Sequence, residues 1–243
     1  MNVLIAEDDD LTRKGLEEIL RNEGYRVTAV PNGTQALELF SKISPDFICL
    51  DIMMPGKDGY QVCRQIRAAN AHVPIIFISA KSEEIDKVVG LEIGADDFIV
   101  KPFGVKEVIA RIRAVTRRCM ASSMTERSCT NSKLSPFYLG DLHIFPQELR
   151  ARRGDLAIDL SLREIRLLKL FFDHPGQVLS RQKISEACWD EDHLPTSRTL
   201  DQHVSQLRKR IEIDPKNPRI IQTVHGAGYR FESVPAPTSS ENP

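Results

Sequence analysis

Four apolar runs in the first hundred residues end in side chains that can do chemistry. Glu7 and Asp8 follow Val3 to Ala6, Asp51 follows Phe47 to Leu50, Ser79 closes the run beginning at Pro74, and Lys101 follows Phe98 to Val100. Three carboxylates gathered in one cleft would raise one another's pKa and resist ionisation unless a cation compensated them. An all-oxygen set of this kind points to Mg²⁺, held by a few carboxylates together with water and a phosphate. A lysine ammonium and a serine hydroxyl suit the oxygens of a phosphoryl group. With a carboxylate as nucleophile, the set makes in-line phosphoryl transfer to Asp51 chemically reasonable. Taken alone, Asp51 is open to three readings: nucleophile, metal ligand or helix cap. The run Glu7 to Asp10 has a simpler role in part, since Asp9 or Asp10 suits the start of a helix at Leu11. Capping leaves Glu7 and Asp8 unexplained.

These residues meet only if the surrounding elements bring them to one edge. Phe47 to Leu50 is too continuously apolar for a half-exposed strand and reads as the centre of a parallel sheet covered on both faces. Pro55-Gly56 and Asp58-Gly59 mark a loop re-entering a helix. Strands at 3–6, 25–30, 47–50, 74–78 and 98–100 alternate with helices at 11–23, 33–43, 60–69, 82–93 and 105–118. The first helix carries a stripe of Leu11, Leu16, Ile19 and Leu20 and stops at Gly24. Five alternations imply an α/β fold with a doubly wound five-stranded parallel sheet of flavodoxin-like order 2-1-3-4-5, whose strand ends share one site.

The chain has 243 residues, enough for two ordinary domains. Charged residues make up 28% with a net charge of −1, so any nucleic-acid surface must be local. The N-terminal segment lacks a basic stretch followed by a long apolar core, and no apolar run approaches membrane-spanning length, so a cytoplasmic location is expected. The five cysteines, Cys49, Cys63, Cys119, Cys129 and Cys188, show no paired metal spacing and are expected to be reduced thiols. Cys129 alone lies in a polar stretch.

Residues 119–136 are rich in Ser and Thr and read as a flexible linker. Residues 137–160 contain short alternating segments broken by Gly and Pro, consistent with a small antiparallel sheet. Ser161 and Glu164 form a capping box ahead of a helix buried through Leu167, Leu168, Leu170 and Phe171. A shorter helix spans 181–188, then an acidic loop 189–195. A third helix spans 196–211, with Leu200, Val204, Leu207 and Ile211 on one face. Its other face carries Arg198, Thr199, His203, Gln206, Arg208, Lys209 and Arg210, a pattern met most often on a solvated surface. Two preceding helices and two short strands around Gly226-Ala227-Gly228 instead favour an α+β winged helix-turn-helix, a recognition helix with a wing touching DNA phosphates. Residues 233–243 read as a disordered tail.

Residues 1–118 resemble the receiver domain of a two-component response regulator through the first-strand acidic pair, LDIMMPGKDG, Ser79-Ala80 and GADDFIVKPF. The resemblance implies that Asp51 is phosphorylated by a sensor histidine kinase and that Glu7 and Asp8, with Asp51 and the Met53 carbonyl, hold Mg²⁺. It also implies that Ser79 and Lys101 contact the phosphoryl group, with a cis peptide before Pro102. Phe98 stands where the family often has a switching tyrosine, so an aromatic rotamer change can persist without the hydroxyl. Charges in the fourth and fifth helices resemble the OmpR/PhoB subfamily, whose dimer interface would pair Lys87 with Glu107, Asp97 with Arg111 and Asp96 with Arg118. Residues 137–232 resemble the same subfamily's winged-helix domain through LSLREIRLLKLF, RTLDQHVSQLRKRIE and HGAGYRF. Carried over, Arg198, Thr199, His203 and Arg208 touch phosphates or bases, Gln206 reads a base edge and suits adenine, and His225 replaces the wing arginine. The implied protein is a DNA-binding transcription regulator that dimerises on activation, with double-stranded DNA and RNA polymerase as further partners.

Competing readings have specific weaknesses. An aspartyl-phosphate hydrolase would commonly place a general-acid carboxylate two residues after the nucleophile, where Met53 stands. No glycine-rich Lys-Ser/Thr phosphate loop is present. A flavodoxin-like electron carrier would set its flavin phosphate against acidic side chains. DNA binding independent of phosphate is opposed only by the intact acidic set.

Overall fold

The computed structural model describes residues 1–80, 84–126, 135–189 and 194–232. The expectations for the tail 233–243, for Cys129 and for most of the acidic loop lie outside the described residues, as do the side chains of 84–88, Lys87 among them, and 121–126. The chain divides into two compact units, residues 1–128 and 129–243.

The first unit runs β1 (Asn2–Ala6), α1 (Asp10–Glu23), β2 (Arg26–Val30), α2 (Gly33–Ile43), β3 (Phe47–Leu50), α3 (Gly59–Ala69), β4 (Ile75–Ser79), α4 (Glu84–Ile93), β5 (Asp97–Val100) and α5 (Val105–Glu126). The five strands are parallel in the order β2-β1-β3-β4-β5. Both β3 and β4 are buried along their whole length, as their unbroken apolar sequences require. Leu4, Ile48, Leu50, Phe77, Val62 and Ile66 form part of a continuous core between sheet and helices.

Two expectations need correction. Leu11 is 81% exposed, whereas Leu16 and Leu20 are fully buried. Five residues separate Leu11 from Leu16, which at about 100° per residue places it roughly 140° off the buried stripe. Helix α5 does not stop at Arg118 but continues to Glu126. No Gly or Pro interrupts 105–126, and Met120 is buried, so residues 119–126 of the expected linker continue the helix.

The second unit opens with the antiparallel strands β6 (Phe137–Leu139), β7 (Leu142–Phe145), β8 (Arg150–Arg153) and β9 (Leu156–Asp159) in sequential order, with a 3₁₀ turn at Pro146–Glu148. Then follow α6 (Leu162–Asp173), β10 (Leu179–Ser180), α7 (Arg181–Cys188), α8 (Ser197–Ile211), β11 (Gln222–Val224) and β12 (Gly228–Arg230). The capping box forms as expected: Ser161 Oγ accepts the Glu164 N–H at 3.1 Å, and Glu164 Oε2 accepts the Ser161 N–H at 2.7 Å. The wing is three-stranded rather than two, because β10 pairs with β12. A two-residue strand carries no periodicity, so only the pairing reveals it. Gly228 permits that pairing: its φ is 150°, and a Cβ there would lie 2.0 Å from the Leu179 carbonyl oxygen.

Candidate functional site

The four strand ends converge as their alternation requires. The run of acids divides between two tasks. Asp9 caps α1, accepting the Thr12 N–H at 2.7 Å, and Asp10 pairs with Arg13 and Lys14 at 2.5 and 2.7 Å. Glu7 and Asp8 remain for the site, their backbone carbonyls held by the Arg13 guanidinium at 2.8 and 3.1 Å.

Asp51 is buried at the carboxyl end of β3. Its N–H donates to the Ala6 carbonyl at 2.8 Å, which ties the β3 end to the β1 end. One carboxylate oxygen accepts the Met53 N–H at 3.0 Å and the other lies 2.7 Å from Lys101 Nζ. The same ammonium donates to Glu7 Oε1 at 2.7 Å. Gly59 starts α3 so close beneath that a Cβ would fall 2.2 Å from the Asp51 carbonyl oxygen, leaving no room for a side chain. Lys101 extends β5, its N–H donating to the Ser79 carbonyl at 2.8 Å, and the following peptide to Pro102 is cis. Ser79 is fully buried at the end of β4. Phe98 is buried against Phe77, ring centres 6.3 Å apart, and Phe77 meets Tyr60 edge-on at 5.5 Å.

Burial is the main cause that pushes the Glu7 carboxyl up to about 7; the neighbouring Asp51 charge adds to it, while Lys101 opposes it. Burial also disfavours the Lys101 ammonium, but its hydrogen bonds to Asp51 and Glu7 prevail and hold its pKa above the ordinary lysine value. Ligand oxygens of Glu7, Asp8 and Asp51 lie within 4.8 Å of one another. Glu7 Oε2 lies 2.6 Å from the same ammonium, so both oxygens of this buried carboxylate face one cation. A hard divalent cation suits the all-oxygen set.

A pH dependence follows. Folded Glu7 keeps its proton up to about 7, whereas an unfolded chain releases it near 4.5. Without divalent cation, the first unit is therefore expected to lose stability as pH rises from 4.5 through about 7, and Mg²⁺ should bind more tightly above that range. Thermal melts in chelator and in Mg²⁺ across these pH values check it. A chelated melt that is flat over the range would contradict the raised Glu7 pKa.

On the α4–β5–α5 side, Arg111 pairs within its own chain, with Asp97 at 2.9 Å and Glu107 at 3.0 Å. Asp96 is engaged inward, pairing with Arg67 at 2.9 Å and accepting the Ile75 N–H at 2.9 Å. Arg118 is exposed on α5.

In the second unit, Thr196 caps α8 through the Thr199 N–H and its hydroxyl lies 2.9 Å from that of Thr199. Leu200, Val204, Leu207 and Ile211 are buried as their spacing implies. Arg198, Gln202, Ser205, Gln206 and Lys209 are exposed along one stripe of the helix, and His225 is exposed on the wing turn. Gln202 escaped the sequence reading because a lone amide carries no charge signal, although its spacing of four from both Arg198 and Gln206 places it on their stripe. His203 is half-buried, its ring 5.3 Å from that of Trp189, and burial keeps its pKa below the ordinary histidine value. Arg208 turns to the wing, where Nε donates to the Ile221 carbonyl at 2.8 Å and a terminal nitrogen to Thr223 Oγ1 at 2.9 Å. Arg210 is bound to Glu164 of α6 at 2.8 Å. Two of the arginines read from the sequence as one basic face thus hold the fold, and Arg198 and Lys209 remain for a ligand.

A parallel α/β unit with a lysine-closed acidic pocket, joined in one chain to a winged helix, defines a phosphorylatable regulator of transcription. Residues 3–113 match the response regulator receiver domain family, and residues 155–231 match the family of the C-terminal domain of transcriptional regulatory proteins. The alkaline phosphatase synthesis transcriptional regulatory protein SphR of Synechococcus elongatus is 40% identical over 94% of this chain and 90% of its own. The sensory transduction protein RegX3 of Mycobacterium tuberculosis is 40% identical over 95% of this chain and 99% of its own. The transcriptional regulatory protein AfsQ1 of Streptomyces coelicolor is 41% identical over 95% and 98%. The chain belongs to the OmpR/PhoB subfamily of response regulators. Among the described residues, no helix is long and apolar enough to cross a membrane.

Proposed function

We propose that Asp51 accepts a phosphoryl group from a sensor histidine kinase and that this acceptance controls dimerisation and DNA binding. The observation that carries the reading is the buried Asp51 carboxylate, 2.7 Å from Lys101 and clustered with Glu7 and Asp8. An Asp51 oxygen bonds to phosphorus as the bond to the donor nitrogen breaks. Lys101 already stands beside that oxygen and meets the incoming charge, while the Ser79 hydroxyl donates to a phosphoryl oxygen. Glu7, Asp8, Asp51 and the Met53 carbonyl would hold Mg²⁺, which when bound neutralises charge building on the phosphoryl oxygens. Drawing Lys101 and Ser79 towards the phosphoryl group disturbs the ends of β4 and β5, and Phe98 changes rotamer in response. The chain then acts as a phosphoryl acceptor and DNA-binding regulator, with no turnover of an external substrate, in the cytoplasm.

The face of α4, β5 and α5 would meet a second copy through Lys87 with Glu107, Asp97 with Arg111 and Asp96 with Arg118. The internal pairs of Arg111 are exchanged for external ones at little net cost, because exposed pairs are worth only about 0–1 kcal/mol, while Asp96 would meet Arg118 through its other oxygen and keep Arg67 and the Ile75 N–H. Two tethered DNA-binding units gain affinity for tandem half-sites through effective concentration. On each, Arg198, Thr199 and His225 would contact the DNA backbone, with His203 and Arg208 supporting α8 and the wing, and RNA polymerase is the partner at the promoter. Gln206 suits adenine through its amide donor and acceptor. Gln206→Ala is expected to lose about 1–3 kcal/mol of discrimination at one base pair and to leave non-specific binding unchanged. Competition with single-substituted duplexes checks it.

The test of the whole reading is molecular mass and DNA affinity, with Mg²⁺, before and after a small phosphoryl donor, for wild type and Asp51→Asn. A wild type that dimerises and binds more tightly beside an unresponsive variant supports it. Equal binding by both, with or without donor, makes DNA binding independent of phosphate.

A further inference from the structure

Asp201 lies on the recognition helix among side chains that face DNA in the reading above, and a carboxylate there repels phosphates. Its surroundings supply a compensating role. Arg181, the first residue of α7, donates through Nε to Asp201 Oδ1 at 2.9 Å, and the Tyr229 hydroxyl of β12 donates to the same oxygen at 2.6 Å. Partial burial works against the Asp201 charge, yet these hydrogen bonds prevail and hold its carboxyl below the usual range. Two guanidiniums lie over the Tyr229 ring, their carbons 5.3 Å (Arg181) and 5.4 Å (Arg208) from its centre. Arg208 completes the set by donating to the Ile221 carbonyl and to Thr223, at the start of and within the wing's outer strand β11. In the sheet order β10-β12-β11, the outer strand pairs with β12 alone, so pairing does not tie it to either helix.

We propose that Asp201, Tyr229 and Arg208 are positioning residues that hold the wing at a set angle to α8, so that helix and wing engage one DNA segment together. The proposal rests on the DNA-binding reading and adds to it the means by which two separate contacts act as one. The acid is retained because its charge is spent on Arg181 and Tyr229 rather than on phosphates. β10 still holds β12 and Glu212 still holds the N–H groups of residues 219–221, so without the joint the wing stays attached but loosens in its angle to α8, and each binding event would have to order it.

The test uses the full chain with Tyr229→Phe and Asp201→Asn, both shape-preserving, and a duplex selected by the wild type from random sequence. Amide exchange across 222–230 is expected to quicken in both variants while 162–173 and 197–211 keep their protection. Affinity for the duplex should fall about tenfold, the loss of one charge-assisted hydrogen bond. The backbone footprint should shorten to the part covered by α8. Unchanged wing exchange, or exchange that rises equally in α6 and the wing, would overturn the proposal, the second outcome marking a general loss of stability. A loosened wing with affinity and footprint intact would overturn it too. A wild type that selects no duplex would sink the DNA-binding reading itself and this proposal with it, a result distinct from intact selection with an unchanged wing.

Discussion

Asp51→Asn is expected to abolish phosphoryl uptake, from one group per chain to none, while the first unit stays folded. Asparagine preserves the shape at the end of β3, and its amide oxygen can still accept the Met53 N–H that Asp51 accepts at 3.0 Å. What disappears is the carboxylate oxygen 2.7 Å from Lys101, which the proposed reaction uses as the nucleophile. Stability should hold, because Lys101 keeps Glu7 at 2.7 Å and a like charge is removed from beside it. Glu7 in turn should titrate below its present value of about 7, since the Asp51 charge is one of the causes that raise it. Intact mass after donor treatment reads the uptake, and a melt reads the fold. Stoichiometric phosphate on the variant would show that another residue is the acceptor.

The second large effect belongs to Glu212, which nothing in the sequence singles out. Its buried carboxylate follows the last turn of α8 and collects three backbone N–H groups of the segment leading into the wing. Arg219 donates at 2.9 Å, Ile220 at 3.0 Å and Ile221 at 2.9 Å. Glu212→Ala leaves these amides without acceptors where Ile220 and Ile221 are buried. The expected cost is about 3–5 kcal/mol, of the size seen when a buried hydrogen-bonded charge is deleted. For a domain of this size that corresponds to a fall in Tm of roughly 12 °C or more. Ile213→Ala is the control: Ile213 is 77% exposed, and its truncation should move stability by no more than about 0.5 kcal/mol. Calorimetry of the two variants decides the matter, and equal melting of both would remove the structural role assigned to Glu212.

The sequence alone determined the alternation of strands and helices, the sheet order, the apolar faces of α6 and α8 and the acids at the strand ends. Each of these is written in short-range patterns: unbroken apolar runs for covered strands, spacings of three and four for helix faces, and a capping box whose partners stand three residues apart. The convergence of Glu7, Asp51 and Lys101 was legible too, because a parallel sheet brings all strand ends of one polarity to the same edge. Tertiary structure decided how individual charges are used. A helical projection sets Arg198 opposite the buried stripe of α8 and Arg208 and Arg210 on its two flanks, but it does not name their partners: Arg198 is exposed, Arg208 binds the Ile221 carbonyl and Arg210 binds Glu164. The end of α5 was also decided there, since Met120 finds a buried place on the first unit that a Ser- and Thr-rich sequence does not advertise. Asp201, Glu212 and Tyr229 gain their roles from partners 28 residues apart in one case and from backbone amides in another. Distances of that kind leave no periodic trace in a sequence, because the energy of a buried hydrogen bond depends on where the chain returns and not on what stands beside it.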